Sequence, residues 1–307
     1  MEKIAVFGLG DMGFPIAHNL VKCGLHVIGM DLLPEKVSAL VQVGGHTAAS
    51  MVEAVHAADA VLTVLPTPAA VRKLYLYDGI VKHAKRGTLL IECSTIDFQL
   101  GCDISTAAAV AGLGMVDAPV SGGTARAAEG KLVFMVGGSR EDFDRAEKIV
   151  KNAASSVVHM GDHGSGIAMK LCNNMLMAVA LVGVAETCVL AQEIGIDPRM
   201  FYEVLQKSSG QTFAMDALCP IPGIVPTAPS SRGYKPGGRA ALMLKDMRLV
   251  KEVAVSLNVP TPMADLATSL YTIFCASGGA DLDGSAIIKL FAPRNEGSGI
   301  SVLNKPA

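Results

Sequence analysis

A chain of 307 residues is longer than a single hydrophobic core usually serves, so two domains are expected. Half of the residues are apolar, 18% are charged and the formal net charge is −2, a balance that leaves no basic field for nucleic acid. The seven cysteines show no C-x-x-C spacing, which argues against a zinc site or redox pair and for reduced thiols.

Ile4-Ala5-Val6-Phe7 reads as a buried strand, and a start near residue 3 leaves no room for a leader, so a cytoplasmic location is expected. Gly8-Leu9-Gly10-Asp11-Met12-Gly13 follows at once and runs into an amphipathic stretch over 14–23. Glycines at this spacing permit a tight turn, close approach of a pyrophosphate to backbone, and close packing of helix on strand. The helix start adds free N–H groups and the positive end of its dipole. The string alone is weak evidence. With a strand before it, a helix after it and an acidic residue downstream, it becomes a dinucleotide site. That acidic residue is Asp31, after Val27-Ile28-Gly29-Met30. Its carboxylate would accept ribose hydroxyls and repel a 2′-phosphate, and Leu32 and Leu33 offer no guanidinium, so NAD is expected over NADP. Asp31 could instead cap the helix that begins near Pro34.

Apolar runs at 60–64, 88–91, 114–116, 132–136 and 156–159 alternate with helical stretches such as 35–43 and 71–77. This is the pattern of a Rossmann fold, a doubly wound parallel sheet with helices on both faces. Three polar strings stand at strand ends: Leu65-Pro66-Thr67, Glu92-Cys93-Ser94-Thr95 and Asp117-Ala118-Pro119-Val120-Ser121-Gly122-Gly123. Ligands collect at the carboxyl ends of such strands. Ser121 with Gly122 and Gly123 would offer a hydroxyl and backbone N–H groups to a substrate carboxylate, though each string also reads as an ordinary turn. His159 and His163, with Asp162 between them, lack a third ligand of fitting spacing, so a loop and not a metal site is expected.

From 166 to 194 the chain holds no proline and few polar residues, and reads as one long interdomain helix. Being apolar almost all round, it is expected to be buried on most faces. Its longest unbroken apolar or glycine stretch, 175–185, is far shorter than the roughly 20 residues that span a bilayer, so no membrane role is expected. Helical segments near 199–207, 240–256 and 263–276 frame a Pro-, Gly- and Ser-rich loop over 219–238. The second domain is therefore all-α, with dinucleotide-binding residues 1–163 followed by a substrate and oligomerisation domain, 164–307. Its apolar surface points to a homodimer or homotetramer.

Lys170, Asn173 and Asn174 stand at i, i+3 and i+4, on one face of the long helix. Desolvation in such apolar surroundings should depress the lysine's pKa, which suits a general acid/base at a substrate hydroxyl. The alternative is a buried lysine paired with a carboxylate, its neighbouring amides bonded to backbone.

The glycine loop, Cys93-Ser94-Thr95-Ile96-Asp97, the string from Asp117 to Gly123, Gly161-Asp162-His163-Gly164-Ser165-Gly166 and Lys170-Leu171-Cys172-Asn173-Asn174 together resemble the β-hydroxyacid dehydrogenase family. The likeness covers nearly the whole chain and is nearest to the 3-hydroxyisobutyrate dehydrogenases. Cys219-Pro220-Ile221-Pro222-Gly223 and Leu242-Met243-Leu244-Lys245-Asp246 are its most subgroup-specific parts. The resemblance implies NAD-dependent oxidation of 3-hydroxyisobutyrate to methylmalonate semialdehyde, without a metal. It implies Lys170 as catalytic acid/base, Asn174 and Asn173 on the substrate, and Ser121, Gly122 and Gly123 on its carboxylate. Leu65, Pro66 and Thr95 would line the nicotinamide side, and Lys245 would reach the cofactor with Asp246 beside it. Two departures stand in the substrate-side loop: Gly238-Arg239 where relatives often carry Gly-Phe, and Arg232 where a small polar residue is usual. An added guanidinium could read a second acidic group, or simply be solvated. Tartronate semialdehyde reductase is the alternative within the family, a decarboxylating sugar-phosphate dehydrogenase a more distant one, and a non-catalytic dinucleotide sensor the alternative from another class.

Overall fold

The computed structural model describes residues 2–77 and 79–292. The chain forms two compact units, Met1–Leu171 and Cys172–Ala307. In the first, β1 (Lys3–Phe7), β2 (His26–Met30), β3 (Ala60–Thr63), β4 (Leu89–Glu92) and β5 (Gly114–Asp117) lie parallel in the order β2-β1-β3-β4-β5. The connections carry α1 (Gly13–Lys22), α2 (Pro34–Gln42), α3 (Met51–Ala57), α4 (Pro68–Arg72), α5 (Ile80–His83) and α6 (Phe98–Ala111). Strands covered on both faces must be apolar throughout, and Ile4, Val6, Leu62, Leu90, Ile91 and Val116 are wholly buried. Each such side chain contributes about 1.5–3 kcal/mol through burial.

The sheet continues through β6 (Val120–Ser121), α7 (Gly123–Ala128), β7 (Leu132–Gly137), α8 (Arg140–Val150) and β8 (Ala154–Gly161). Here it departs from the all-parallel expectation: β7 runs antiparallel to β5 and β6, and β8 is parallel to β7. A parallel return needs a crossover as long as the strand. The six residues of α7 rise only about 9 Å, against roughly 20 Å for a strand like β7, so the chain doubles back.

Register brings Met30, Phe7, Thr63, Glu92 and Asp117 into one row at the carboxyl edge of the five parallel strands. The strand order reverses between β1 and β3, and a doubly wound sheet binds its ligand at that reversal.

The long helix, α9 (Ser165–Glu193), begins on this unit. The Asp117 carboxylate accepts hydrogen bonds from the backbone N–H of Gly164 (2.8 Å) and Ile167 (2.9 Å). At Gly166 a side chain would strike the backbone carbonyls of Met135 and Asp117, so glycine lets the first turn lie against the sheet. The compact units divide after Leu171, because the first two turns of the helix pack with the sheet.

The second unit contains the rest of α9 with α10 (Pro198–Leu205), α11 (Phe213–Asp216), α12 (Ala240–Ser256) and α13 (Pro262–Phe274), and no strand among its described residues. Asp197 and Thr212 cap α10 and α11 through their side chains. Ala178, Leu181, Val182, Ala185 and Cys188 form the buried stripe of α9. The expectation of burial on most faces is corrected. Only 39% of its most apolar window is buried within the chain, and Leu176 and Leu190 are 71% and 62% exposed. A single small helical unit has elements enough to cover one stripe and leaves the other uncovered. By length and composition α9 is long and apolar enough to cross a membrane.

Candidate active site

The glycine loop joins the end of β1 to the start of α1. Gly8 has φ +91°, and a side chain there would strike the Val64 carbonyl; one at Gly13 would strike the Gly8 carbonyl. Gly10 is exposed and faces open space, the face a pyrophosphate would approach, with Asp11 exposed and Met12 half-buried beside it. Asp31 holds this loop in place: its Oδ2 accepts from Leu9 N–H (2.6 Å) and its Oδ1 from Leu33 N–H (2.9 Å). It is not the cap of α2, whose N-cap residue is Leu33. Each carboxylate oxygen keeps a second lone-pair direction for a ribose hydroxyl.

The strand-end strings form a second group. Leu65 and Thr95 are half-buried and Pro66 is exposed, just beyond β3 and β4. Leu65 N–H donates to Ser94 Oγ (2.8 Å), and Ser94 N–H donates to the Glu92 carboxylate (2.6 Å). Thr63 Oγ1 donates to the other Glu92 oxygen at 2.5 Å and lies 2.8 Å from the Tyr75 hydroxyl, carried on a π-helical turn, Lys73–Tyr77. Burial raises the Glu92 carboxyl to about 6, against the pull of the donors around it. It also pushes the Tyr75 phenol and the Cys93 thiol well above their ordinary values.

In the same unit Lys170 is half-buried, and its Nζ donates to the Val120 carbonyl at 2.7 Å. Ser121, Gly122 and Gly123 come directly after that carbonyl, with Gly122 (φ +138°) at the N-cap of α7. The string from Asp117 to Gly123 therefore seats the helix, engages its lysine and presents the serine and glycines in seven consecutive residues. Burial raises the Asp117 carboxyl in spite of the backbone N–H groups it accepts.

Three comparisons bear on this arrangement. The profile described as the NAD binding domain of 6-phosphogluconate dehydrogenase matches residues 3–161, and that described as NAD-binding of NADP-dependent 3-hydroxyisobutyrate dehydrogenase matches 164–291. An NAD-dependent L-serine dehydrogenase of Pseudomonas aeruginosa is 42% identical over 95% of this chain and 99% of its own. The 3-hydroxyisobutyrate dehydrogenase of the same organism is 40% identical over the same shares. The 3-hydroxyisobutyrate dehydrogenase of Mycobacterium tuberculosis, solved with L-serine, superposes with a TM-score of 0.88 at 38% identity, covering 95% of this chain and all of that one. The chain belongs to the β-hydroxyacid dehydrogenase family. It is an NAD-binding oxidoreductase that acts on a hydroxyl group, and the glycine loop with Asp31 fits that cofactor.

In the second unit of the dehydrogenase, Asn173 Nδ2 donates to Asn174 Oδ1 (3.0 Å), and Asn174 Nδ2 donates to Asp246 Oδ2 (2.5 Å). Lys245 forms an ion pair with Asp246 Oδ1 at 3.2 Å, outside the geometry of a directed hydrogen bond. Asp246 thus orients Asn174, a role its neighbourhood in sequence with Lys245 did not reveal. Asp283 was missed altogether. Almost fully buried, it accepts from Gly237 N–H (2.9 Å) and Gly238 N–H (3.1 Å) and so fixes the substrate-side loop. Its only sequence signal is an acidic residue before Gly284-Ser285. Arg232 donates to the Thr227 carbonyl (3.3 Å) and Arg239 pairs with exposed Asp281 (3.5 Å), so each of these departures has a local partner. His159 stacks on Phe143 with centroids 4.6 Å apart and bonds the Gly138 carbonyl, while His163 lies 4.0 Å from Asp117.

Proposed function

We propose that this dehydrogenase oxidises the primary alcohol of a small 3-hydroxy acid, with 3-hydroxyisobutyrate as its substrate and methylmalonate semialdehyde as product. The observation that carries this reading is the Lys170 amine held on the carbonyl that immediately precedes Ser121-Gly122-Gly123. A proton acceptor beside a group of carboxylate-binding donors matches a molecule with a hydroxyl two carbons from its carboxylate. L-Serine has the same skeleton, with an ammonium in place of the methyl group, and is the second reading because a 42% identical relative is an L-serine dehydrogenase.

In this mechanism Ser121 Oγ and the N–H groups of Gly122 and Gly123 bind the substrate carboxylate. Asn174, oriented by Asp246, donates to the substrate and fixes its rotation, with Asn173 beside it. Lys170 takes the hydroxyl proton, and the Val120 carbonyl keeps the amine aimed during the transfer. Bound NAD supplies the hydride acceptor. The Asp31 carboxylate would select NAD by accepting its ribose hydroxyls and repelling a 2′-phosphate. Cytoplasmic location is supported by the free thiols, and a homo-oligomer by the uncovered stripe of α9.

Steady-state kcat/KM for 3-hydroxyisobutyrate, L-serine, glycerate and tartronate semialdehyde, each with both nicotinamide cofactors, tests the assignment. Preference for tartronate semialdehyde, or no turnover of any of the four, overturns it. Lys170→Ala is expected to lower turnover by about 100- to 10,000-fold while leaving NAD affinity intact.

A further inference from the structure

We infer that Glu92 is a positioning residue that locks the two strand-end loops of the nicotinamide pocket into one arrangement. The inference rests on the reading of Leu65, Pro66 and Thr95 as the lining of that pocket. Glu92 acts through these loops, not on the reacting atoms. It is wholly buried at the carboxyl end of β4, in register with Thr63 on β3 and Asp117 on β5. A buried carboxylate without a cation must be surrounded by donors, and here those donors come from the loops themselves. One oxygen receives Ser94 N–H, while the hydroxyl of Ser94 receives Leu65 N–H, so the loop after β3 is tied to the loop after β4. The other oxygen receives the Thr63 hydroxyl, which is itself in contact with the Tyr75 hydroxyl. Thr95 is the next residue after the tied serine.

The chain of bonds has a direction. With Glu92 ionised each donor points toward it, and both oxygens accept charge-assisted hydrogen bonds. A protonated acid, or an amide, turns the Thr63 and Tyr75 hydroxyls round and offers Ser94 N–H a neutral acceptor in place of a charged one, so the tie between the loops weakens. The titratable groups near Glu92 are Tyr75 from the π-helical turn, Cys93 next to it in the chain and Asp117 on β5. The phenol and thiol stay protonated at neutral pH, and the Asp117 carboxylate is committed to Gly164 and Ile167.

The test compares two ligands of the intact protein: NADH, which fills the whole cofactor site, and ADP-ribose, which lacks the nicotinamide. Glu92→Gln is expected to weaken NADH about tenfold, the worth of one charge-assisted hydrogen bond, and to leave ADP-ribose within about twofold. Wild-type NADH affinity should fall as pH drops through about 6, while the variant stays weak and flat. Tyr75→Phe, which removes the outermost hydroxyl, should show a smaller loss in the same direction, and it carries the comparison if Glu92→Gln does not fold. Unchanged NADH affinity, equal loss of both ligands, or a pH inflection that survives in Glu92→Gln overturns the proposal. Thr95→Phe separates this from the underlying reading. If it blocks NADH but not ADP-ribose while Glu92→Gln has no effect, the pocket stands and Glu92 has no part in it. If it blocks neither ligand, the pocket assignment itself is wrong.

Discussion

Asp117 contributes one carboxylate to two backbone donors about fifty residues away in the chain, and both donors belong to the start of the helix that carries Lys170. Its replacement by alanine leaves two buried N–H groups without an acceptor. Unmet donors of that kind cost about 1–3 kcal/mol each, so Asp117→Ala is expected to lose about 2–6 kcal/mol in urea unfolding, with turnover reduced more than NAD affinity. Glu92 makes an opposite contribution to stability at neutral pH. Its carboxyl has an ordinary value of 4.5 and is raised to about 6 in the fold. Between those values the folded chain holds more protons than the unfolded one, so stability falls as pH rises through the window, by about 2 kcal/mol in total. Urea unfolding at pH 4.5 and 7.5 should show wild type losing this amount relative to Glu92→Gln. Asp31 invites a third substitution. Asp31→Ser with Leu32→Arg removes a repulsive carboxylate and adds a phosphate partner, and should shift the NADP-to-NAD ratio of kcat/KM upward by about 100-fold.

At the level of elements, the sequence made plain what is determined locally. The β1–glycine loop–α1 unit was readable because turn, close approach and helix start are consecutive, and Gly8, Gly13 and Asp31 stand where that reading expects them. Lys170, Asn173 and Asn174 were readable because helical spacing alone puts them on one face. What remained hidden depends on partners far away in the chain. Asp246 on Asn174, Asp283 on Gly237 and Gly238, and the Thr63–Glu92–Tyr75 group each join segments that no periodicity connects. The reversal of β7 also escaped, because it is decided by the length of α7 and not by the apolar pattern of the strand. The seat of α9 gives a further test at this scale. Gly166→Ala pushes a methyl group into two carbonyls, and overpacking of this kind costs about 1–3 kcal/mol. The expected readout is a lower kcat with a nearly unchanged Kd for NAD.

For the whole molecule, the uncovered stripe of α9 is the feature to explain. Leu176, Gly183 and Leu190 recur every seven residues on the exposed side of the helix. We propose this row as the seam between two copies of the chain, where the small residue at its centre permits close approach. Leu176→Glu with Leu190→Glu should shift the protein toward a monomer in sedimentation velocity while circular dichroism stays the same. The long-range anchoring of α9 has one more consequence. A gene cut at the junction between the two family profiles, after residue 163, would send Lys170 away with the helical fragment and leave Val120, Asp117 and the glycine-bearing loop on the other. Neither half on its own would carry a seated amine, so mixing the purified fragments can restore turnover only if the severed helix finds its way back to the end of β5.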